Sequence, residues 1–434
     1  MLSYREALEF IHGMNRFGIK LGLQKITRLL QLLGNPHEGI KIIHVAGTNG
    51  KGSTCAMIDS ILRAAGYRVG LYTSPYLEVF NERIRVNGRN IPDEDIARLT
   101  EKVRKAIREM EARGWGVPTE FEVVTALGFM YFKEQNLDFL VLEVGMGGRY
   151  DATNVVTPLV SVITSISYDH QQYLGNTLEE IAREKCGIIK QGVPVVTAPQ
   201  EPEAMRVIED TCREQNCPLV KVEEKTRYRL LDWGLEGQVF SLQTSRNTYD
   251  NLKIKLLGDH QLDNAATAVA SVEALEHYGI NITRQAVEKG LLEARWPGRL
   301  EIMGRNPDVL IDGAHNPSGV GVLKSAILKY FPGKRVILVI GILKDKDYLK
   351  MLEEIIPVAD AVVATRPDSP RALEPNELEG SIKSLNLEKM PEIYVREEVE
   401  EAIDTAYEIA GASDVIVFAG SLYLIGKVRS LLKK

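Results

Sequence analysis

The stretch Ile42-Ile43-His44-Val45-Ala46-Gly47-Thr48-Asn49-Gly50-Lys51-Gly52-Ser53-Thr54 decides the reading of this chain. A short apolar run enters a glycine-rich turn, a lysine and hydroxyl residues follow, and an amphipathic segment runs from Cys55 to Ala65. That order predicts strand, phosphate loop, helix. The glycines let successive backbone N–H groups converge on one point, and the helix aims its positive end there. Lys51 is expected to reach the β- and γ-phosphates of a nucleotide, with Ser53 or Thr54 placing a hydroxyl on Mg²⁺. The fit to the general G-x-x-x-x-G-K-[ST] pattern is incomplete: Val45 stands where the first glycine belongs, and Gly52 separates the lysine from the hydroxyls. A plain glycine turn with a solvated lysine is the alternative.

The rest of the chain favours an enzyme-sized α/β protein. Its 434 residues exceed what one hydrophobic core usually serves, so two domains are expected. The apolar and charged fractions, 44% and 26%, are ordinary for a globular protein. A net charge of −6 offers no basic field for nucleic acid. No apolar run reaches membrane-spanning length, and the N-terminus lacks a signal-peptide layout. Cys55, Cys186, Cys212 and Cys217 form no C-x-x-C. A reduced, cytoplasmic protein is expected.

In order, residues 3–13 and 23–33 read as helices with a loop over Arg16–Gly22 between them. Tyr67–Thr73 reads as a strand entering Ser74-Pro75, followed by the weakly periodic Tyr76–Gly88. Pro92–Trp115 predicts a charged surface helix, and Thr119–Lys133 a helix too apolar to be exposed. Asp138–Val144 and Leu159–Ile166 read as buried strands, so the whole predicts a parallel, doubly wound sheet with loops gathered at its carboxyl edge. Glu143 lies inside an apolar strand, where a charge is costly unless paired or metal-bound. His170 is placed at the end of the following strand, on the same edge. A pairing of Glu143 with Arg149 or a helix N-terminus and a turn-capping role for His170 are the structural alternatives. Lys185 precedes an apolar turn, which makes partial burial plausible. Residues 221–257 read as an antiparallel β insertion, and a helix begins near Leu257. Pro297 and Gly298 break the pattern, giving expected domains 1–296 and 297–434. The second repeats strand–helix alternation in a smaller, Rossmann-like format without a G-x-G-x-x-G fingerprint, and is expected to supply substrate groups to the first site's nucleotide.

Taken together, the motifs resemble the Mur ligase superfamily, specifically the folylpolyglutamate synthase/dihydrofolate synthase family. The glycine loop His44–Thr54 is that family's own variant. Thr73-Ser74-Pro75-Tyr76-Leu77 with Asn81–Ile84, Glu143–Asn154, Asp169-His170, Glu184–Ile188, Asp259–Asn264, Trp296-Pro297-Gly298-Arg299 and Asp312–Pro317 follow in family order. The resemblance implies ATP-dependent amide formation: a folate or dihydropteroate carboxylate takes the γ-phosphoryl group, and the amine of L-glutamate attacks the acyl phosphate. It also implies roles. Thr48, Asn49, Gly50, Lys51, Gly52, Ser53 and Thr54 would hold phosphates, Asn264 adenine, Arg299 phosphates and Asp312 the ribose. Ser53, Ser74, Glu143, His170 and Lys185 would hold Mg²⁺, with Lys185 carbamylated. Lys51, Lys185, His170 and His315 would serve the chemistry, and Tyr76, Arg83, Phe121 and Ser421 the substrates. Loop capping remains open for Asp312 and Ser421, and a satisfied core histidine for His315. The resemblance further implies a monomer acting on small molecules. Competing expectations are a cell-wall amino-acid ligase, a P-loop ATPase or kinase, and a non-catalytic nucleotide-binding module.

Overall fold

The computed structural model describes residues 2–14 and 22–433. The expected loop at 16–22 therefore falls, except for Gly22, outside the described residues. The first sheet has eight strands: β1 (Ile42–Ala46), β2 (Val69–Tyr72), β3 (Ile84–Val86), β4 (Arg89–Asn90), β5 (Phe139–Glu143), β6 (Val160–Ile163), β7 (Val195–Thr197) and β8 (Leu219–Lys221). Their spatial order is β4-β3-β2-β5-β1-β6-β7-β8. β1 is central, parallel to β5 on one side and β6 on the other.

Side chains alternate along these strands and serve two cores. Ile43, Val45, Phe139 and Val141 face a core shared with the helices Lys51–Ala64, His260–Glu273 and Arg284–Glu293. Ile42, Leu140 and Leu142 face a second core beneath Tyr4–His12, Gln24–Leu32, Asp93–Ala112 and Glu120–Glu134. The apolar helix expected over 119–133 is buried as its composition requires, and Thr119 opens it with a capping box: Thr119 N–H donates to Glu122 at 2.7 Å and Glu122 N–H to Thr119 Oγ1 at 3.3 Å.

The sheet is not wholly parallel. β2–β3 and β3–β4 pair antiparallel. The β3–β4 pair is closed by Asn87-Gly88, both with positive φ (49° and 75°), a two-residue hairpin within a stretch read only as weakly periodic. The insertion at β9 (Arg227–Gly234), β10 (Gly237–Gln243) and β11 (Thr248–Ile254) is antiparallel, as expected.

A second sheet draws only on later residues: β12 (Glu301–Gly304), β13 (Asp308–Ile311), β14 (Val336–Ile340), β15 (Ala361–Ala364), β16 (Glu392–Val395) and β17 (Val415–Ala419). Its order is β12-β13-β17-β14-β15-β16, with β12 antiparallel and the others parallel. Helices cover both faces, Val336 and Leu338 entering one core and Ile337 and Val339 the other. The molecule is thus a large, mostly parallel α/β domain followed by a smaller α/β domain. Strands β12 and β16 and the helices Pro202–Glu214, Arg284–Glu293, Pro375–Lys383 and Leu422–Leu432 were not anticipated.

Candidate active site

Two adjoining cavities, of about 430 and 370 Å³, lie between the two sheets and share Gly52, Ser74, Pro75, Glu143, Arg299 and Leu422. The glycine loop forms one wall of the larger. Gly50 stands at φ 85°, a conformation costly for a side chain, and Asn264 Oδ1 occupies the place of its missing Cβ. Gly52 lies flat against the Trp296 indole, whose atoms a Cβ would meet at 2.6–2.8 Å. These two contacts explain glycine on either side of Lys51. The helix Lys51–Ala64 starts here with its first turn facing the cavity. Lys51 Nζ donates to Gly47 O (3.0 Å) and Thr48 O (3.1 Å), folded back over its own loop. Thr48 and Asn49 brace the loop against Ser167: Thr48 Oγ1 donates to Ser167 O at 3.0 Å, and Asn49 Nδ2 to Ser167 Oγ at 3.2 Å. Ser53 Oγ accepts from Gln261 Nε2 at 3.3 Å, and Thr54 Oγ1 lies 3.5 Å from Asn264 Oδ1.

Register explains Glu143. It pairs with Val45 at the carboxyl end of β5, so its side chain arrives beside the glycine loop. It is 4% exposed, accepts a hydrogen bond from Ser74 N–H (3.1 Å), and has no cation within ion-pair distance among the described residues. Burial raises its pKa to about 7, although Lys51, the Ser74 amide and Arg299 pull it down. The alternative partner Arg149 lies instead against Glu184 at 3.6 Å. Lys185, at the end of the helix Leu178–Lys185, is 4% exposed and donates to Gly47 O at 2.9 Å. Burial, then the Lys51 charge, lowers its pKa to about 7. The sequence allowed only partial burial; the site is tighter than that.

His170 does not end a strand. β6 stops at Ile163, and His170 caps the short helix Gln171–Leu174 at φ 51°, which still brings it to the cavity. Burial lowers its pKa to about 4. His315 lines the same cavity rather than a core; its Nδ1 lies 2.8 Å from Gly313 O, and burial brings its pKa to about 4. Asp312 lines the cavity too, but both carboxylate oxygens are already engaged, accepting from Leu300 N (2.8 Å) and Ala314 N (2.9 Å). Ser421 likewise caps the helix Leu422–Leu432, accepting from Leu424 N–H at 3.1 Å. Loop capping is thus real at both positions, beside any contact with a ligand. Arg299 lines both cavities.

The substrate-side candidates scatter more. Tyr76 lines the smaller cavity. Arg83 stacks over Tyr76 and Phe80 at 5.3 and 5.7 Å, with its Nε buried and unpartnered, and lines neither cavity. Phe121 lines neither as well; its ring lies under Gly145, where a Cβ would meet it at 2.6 Å.

The sequence did not reveal the buried contact that joins the domains over the glycine loop. Asp169 and Lys346 pair at 2.8 Å, their side chains 10% and 9% exposed. Asn316 Nδ2 donates to Asn49 Oδ1 and to Asp169 Oδ2, each at 3.2 Å. Asp169 is lowered in pKa because His170, Lys346 and His315 outweigh the effect of burial. The only sequence signal was that Asp169 and Lys344–Asp347 both sit in loops after strands.

No group of three His, Cys, Asp or Glu able to hold a metal exists among the described residues. Ser53, Ser74, Glu143, His170 and Lys185 nevertheless all line the larger cavity. A hard dication with few protein ligands and phosphate or water oxygens completing its shell suits such a set. Glu143, a buried carboxylate without a cation, fits that need.

Residues 45–272 match the Mur ligase middle domain and 298–422 the Mur ligase glutamate ligase domain. Dihydrofolate synthase/folylpolyglutamate synthase of Bacillus subtilis is 40% identical over 99% of both chains. The chain belongs to the Mur ligase family, in its folylpolyglutamate synthase/dihydrofolate synthase branch. Solved members of the branch share its fold. Mycobacterium tuberculosis folylpolyglutamate synthase, complexed with ADP and AMPPCP, superposes at TM-score 0.90 with 33% identity over 99% of this chain and 98% of that one. Escherichia coli FolC, in complex with DHPP and ADP, gives 0.88 with 31% identity over 100% and 99%.

Proposed function

We propose that the chain is an ATP-dependent amide ligase joining L-glutamate to a carboxylate of a folate, of dihydropteroate, or of both. The observation that carries this reading is the two-ended cleft. A phosphate loop walls one end, the Ser74–Tyr76 loop walls the other, and Glu143 and Arg299 line both. Two anions must meet here, and Lys51, Lys185, Arg299, Lys346 and Arg371 all line the larger cavity. Phosphoryl transfer asks for charge neutralisation and in-line placement more than for a covalent catalyst. The relatives named for this reaction, and the ADP-bound members of the branch, support the same reading.

In this reading ATP lies with its phosphates on the Thr48–Thr54 amides, Lys51 swinging from the Gly47 and Thr48 carbonyls onto the β- and γ-phosphates. Asn264 faces the adenine, Arg299 the phosphates and Asp312 the ribose. The acceptor carboxylate takes the γ-phosphoryl group, and the glutamate amine displaces phosphate, with His315 and Ser421 on the glutamate side and Tyr76, Arg83 and Phe121 toward the pterin. Mg²⁺, held by Ser53, Ser74, Glu143, His170 and a carbamylated Lys185, would neutralise phosphate charge. An amine brought to about pKa 7 is free to react with carbon dioxide near neutrality, which supports the carbamate. The functional domains divide near 296/297; β1–β11 draw on residues up to 254 and β12–β17 on residues from 301.

Phosphate release from MgATP and L-glutamate tests this directly. Turnover is expected only when dihydropteroate or a tetrahydrofolate is added, and the acceptor that works assigns the branch activity. Release at the same rate without any acceptor would leave an ATPase.

A further inference from the structure

The loop after β2 is held from both domains. Within the large domain, Glu82 accepts the N–H groups of Leu77 (2.9 Å), Glu78 (3.1 Å) and Val79 (3.1 Å), curling the loop around one carboxylate. Its first residue, Ser74, donates its N–H to Glu143. From the other side comes the final helix, Leu422–Leu432. At Gly426 that helix comes so close that a Cβ would overlap the carbonyl oxygen of Leu77, and Gly298 sits 3.2 Å (as a built Cβ) from the Leu77 side chain. Arg429, three residues on, forms a fork with Glu301, Nε to Oε2 at 2.8 Å and Nη2 to Oε1 at 2.9 Å. Its remaining Nη1 donates to Glu78, which Lys433 Nζ also reaches at 2.9 Å. Glu301 in turn accepts from Gly298 N–H at 2.8 Å. The Arg429 side chain is 12% exposed, so its own bonds are shielded from solvent. The smaller cavity is lined by residues of both domains, Tyr76 and Arg85 from one and Leu422 and Arg429 from the other.

We infer that Arg429 is a positioning residue for the acceptor: through Glu78 it fixes the Ser74–Val79 loop, so the acceptor end of the cleft is complete only when the last helix is docked. The nucleotide end does not run through Glu78: the glycine loop is braced by Ser167 and Asn264 within its own domain, and from the smaller domain it is met by Asn316 rather than by the last helix. The acceptor-binding part of this inference rests on the ligase reading, whereas the clamping of the loop does not.

Two variants test it. Arg429→Met keeps the apolar stem and loses every donor; Gly426→Ala leaves all charges and pushes on Leu77 O. In both, amide hydrogen exchange at Leu77, Glu78 and Val79 is expected to quicken at least tenfold. The KM for the pterin acceptor is expected to rise about tenfold or more, with kcat reduced less and ADP affinity within twofold of wild type. Unchanged exchange at those three amides would overturn the inference. So would an equal loss of ADP and acceptor affinity, which marks a merely structural role. If wild-type protein turns over no acceptor, the ligase reading fails, and the exchange rates still decide whether Arg429 holds the loop.

Discussion

His44 shows how much of the site is prepared below the surface. It lies in the middle of β1, fully buried, with Nε2 2.8 Å from Thr153 Oγ1. Thr153 donates in turn to Asp151 (2.6 Å), whose other oxygen accepts from Met146 N–H (2.9 Å) in the loop after β5. Burial, then the Lys190 charge, lowers the His44 pKa from 6.5 to about 3. Between those values the unfolded chain binds a proton that the folded protein refuses, so stability is full above pH 6.5 and falls as the pH drops toward 3. At about 1.4 kcal/mol per pKa unit, acidifying by ~1.5 units from there costs up to ~2 kcal/mol. Thermal unfolding checks this: the Tm advantage of wild type over His44→Asn should shrink from pH 6.5 to about 5, and a constant difference contradicts it. At this scale the sequence was informative about identity and poor about partners. Glu143 stood out because a carboxylate in an apolar strand demands a reason. The occupation of Asp312 by two amides and of Ser421 by a helix end depends on backbone geometry that the residues alone leave open.

Among the elements, the helix Lys51–Ala64 bears the most consequence because its first turn belongs to the site. It is clasped from behind by Arg284–Glu293, where Gly290 lies against Ile61 so closely that a Cβ would stand 2.6 Å from the Ile61 backbone nitrogen. Gly290→Ala must therefore separate two backbones in a packed core, at a cost of about 1–3 kcal/mol. Urea unfolding should show that loss, with weaker ADP binding as the glycine loop shifts; stability equal to or above wild type contradicts it. Elements of marked apolarity or alternation were legible, including the buried Glu120–Glu134 helix and the strand–helix alternation after residue 308. The hairpin at Asn87-Gly88 was missed although its turn chemistry was present, because β3 and β4 are too short to alternate visibly. β12 and β16 are edge strands only partly buried, and their apolar runs, Ile302-Met303 and Ile393-Tyr394-Val395, are too short to mark them.

For the whole molecule, the cleft is a joint product of both sheets. Lys346 and Asp169 meet across it, 177 residues apart in sequence, and Arg429 reaches Glu78 across 351. Such pairs leave no local trace in sequence, whereas the loops that bear them sit at strand ends and could be read. The cleft brings together a phosphate loop, a buried carboxylate and the Ser74–Tyr76 loop, and in the ligase reading an acyl phosphate forms between them. Isotope transfer follows that step. With ¹⁸O in the acceptor carboxylate, MgATP and L-glutamate, one labelled oxygen should appear in the released phosphate for each amide formed. Phosphate that carries its new oxygen from water, with the acceptor label retained, would rule out an acyl phosphate.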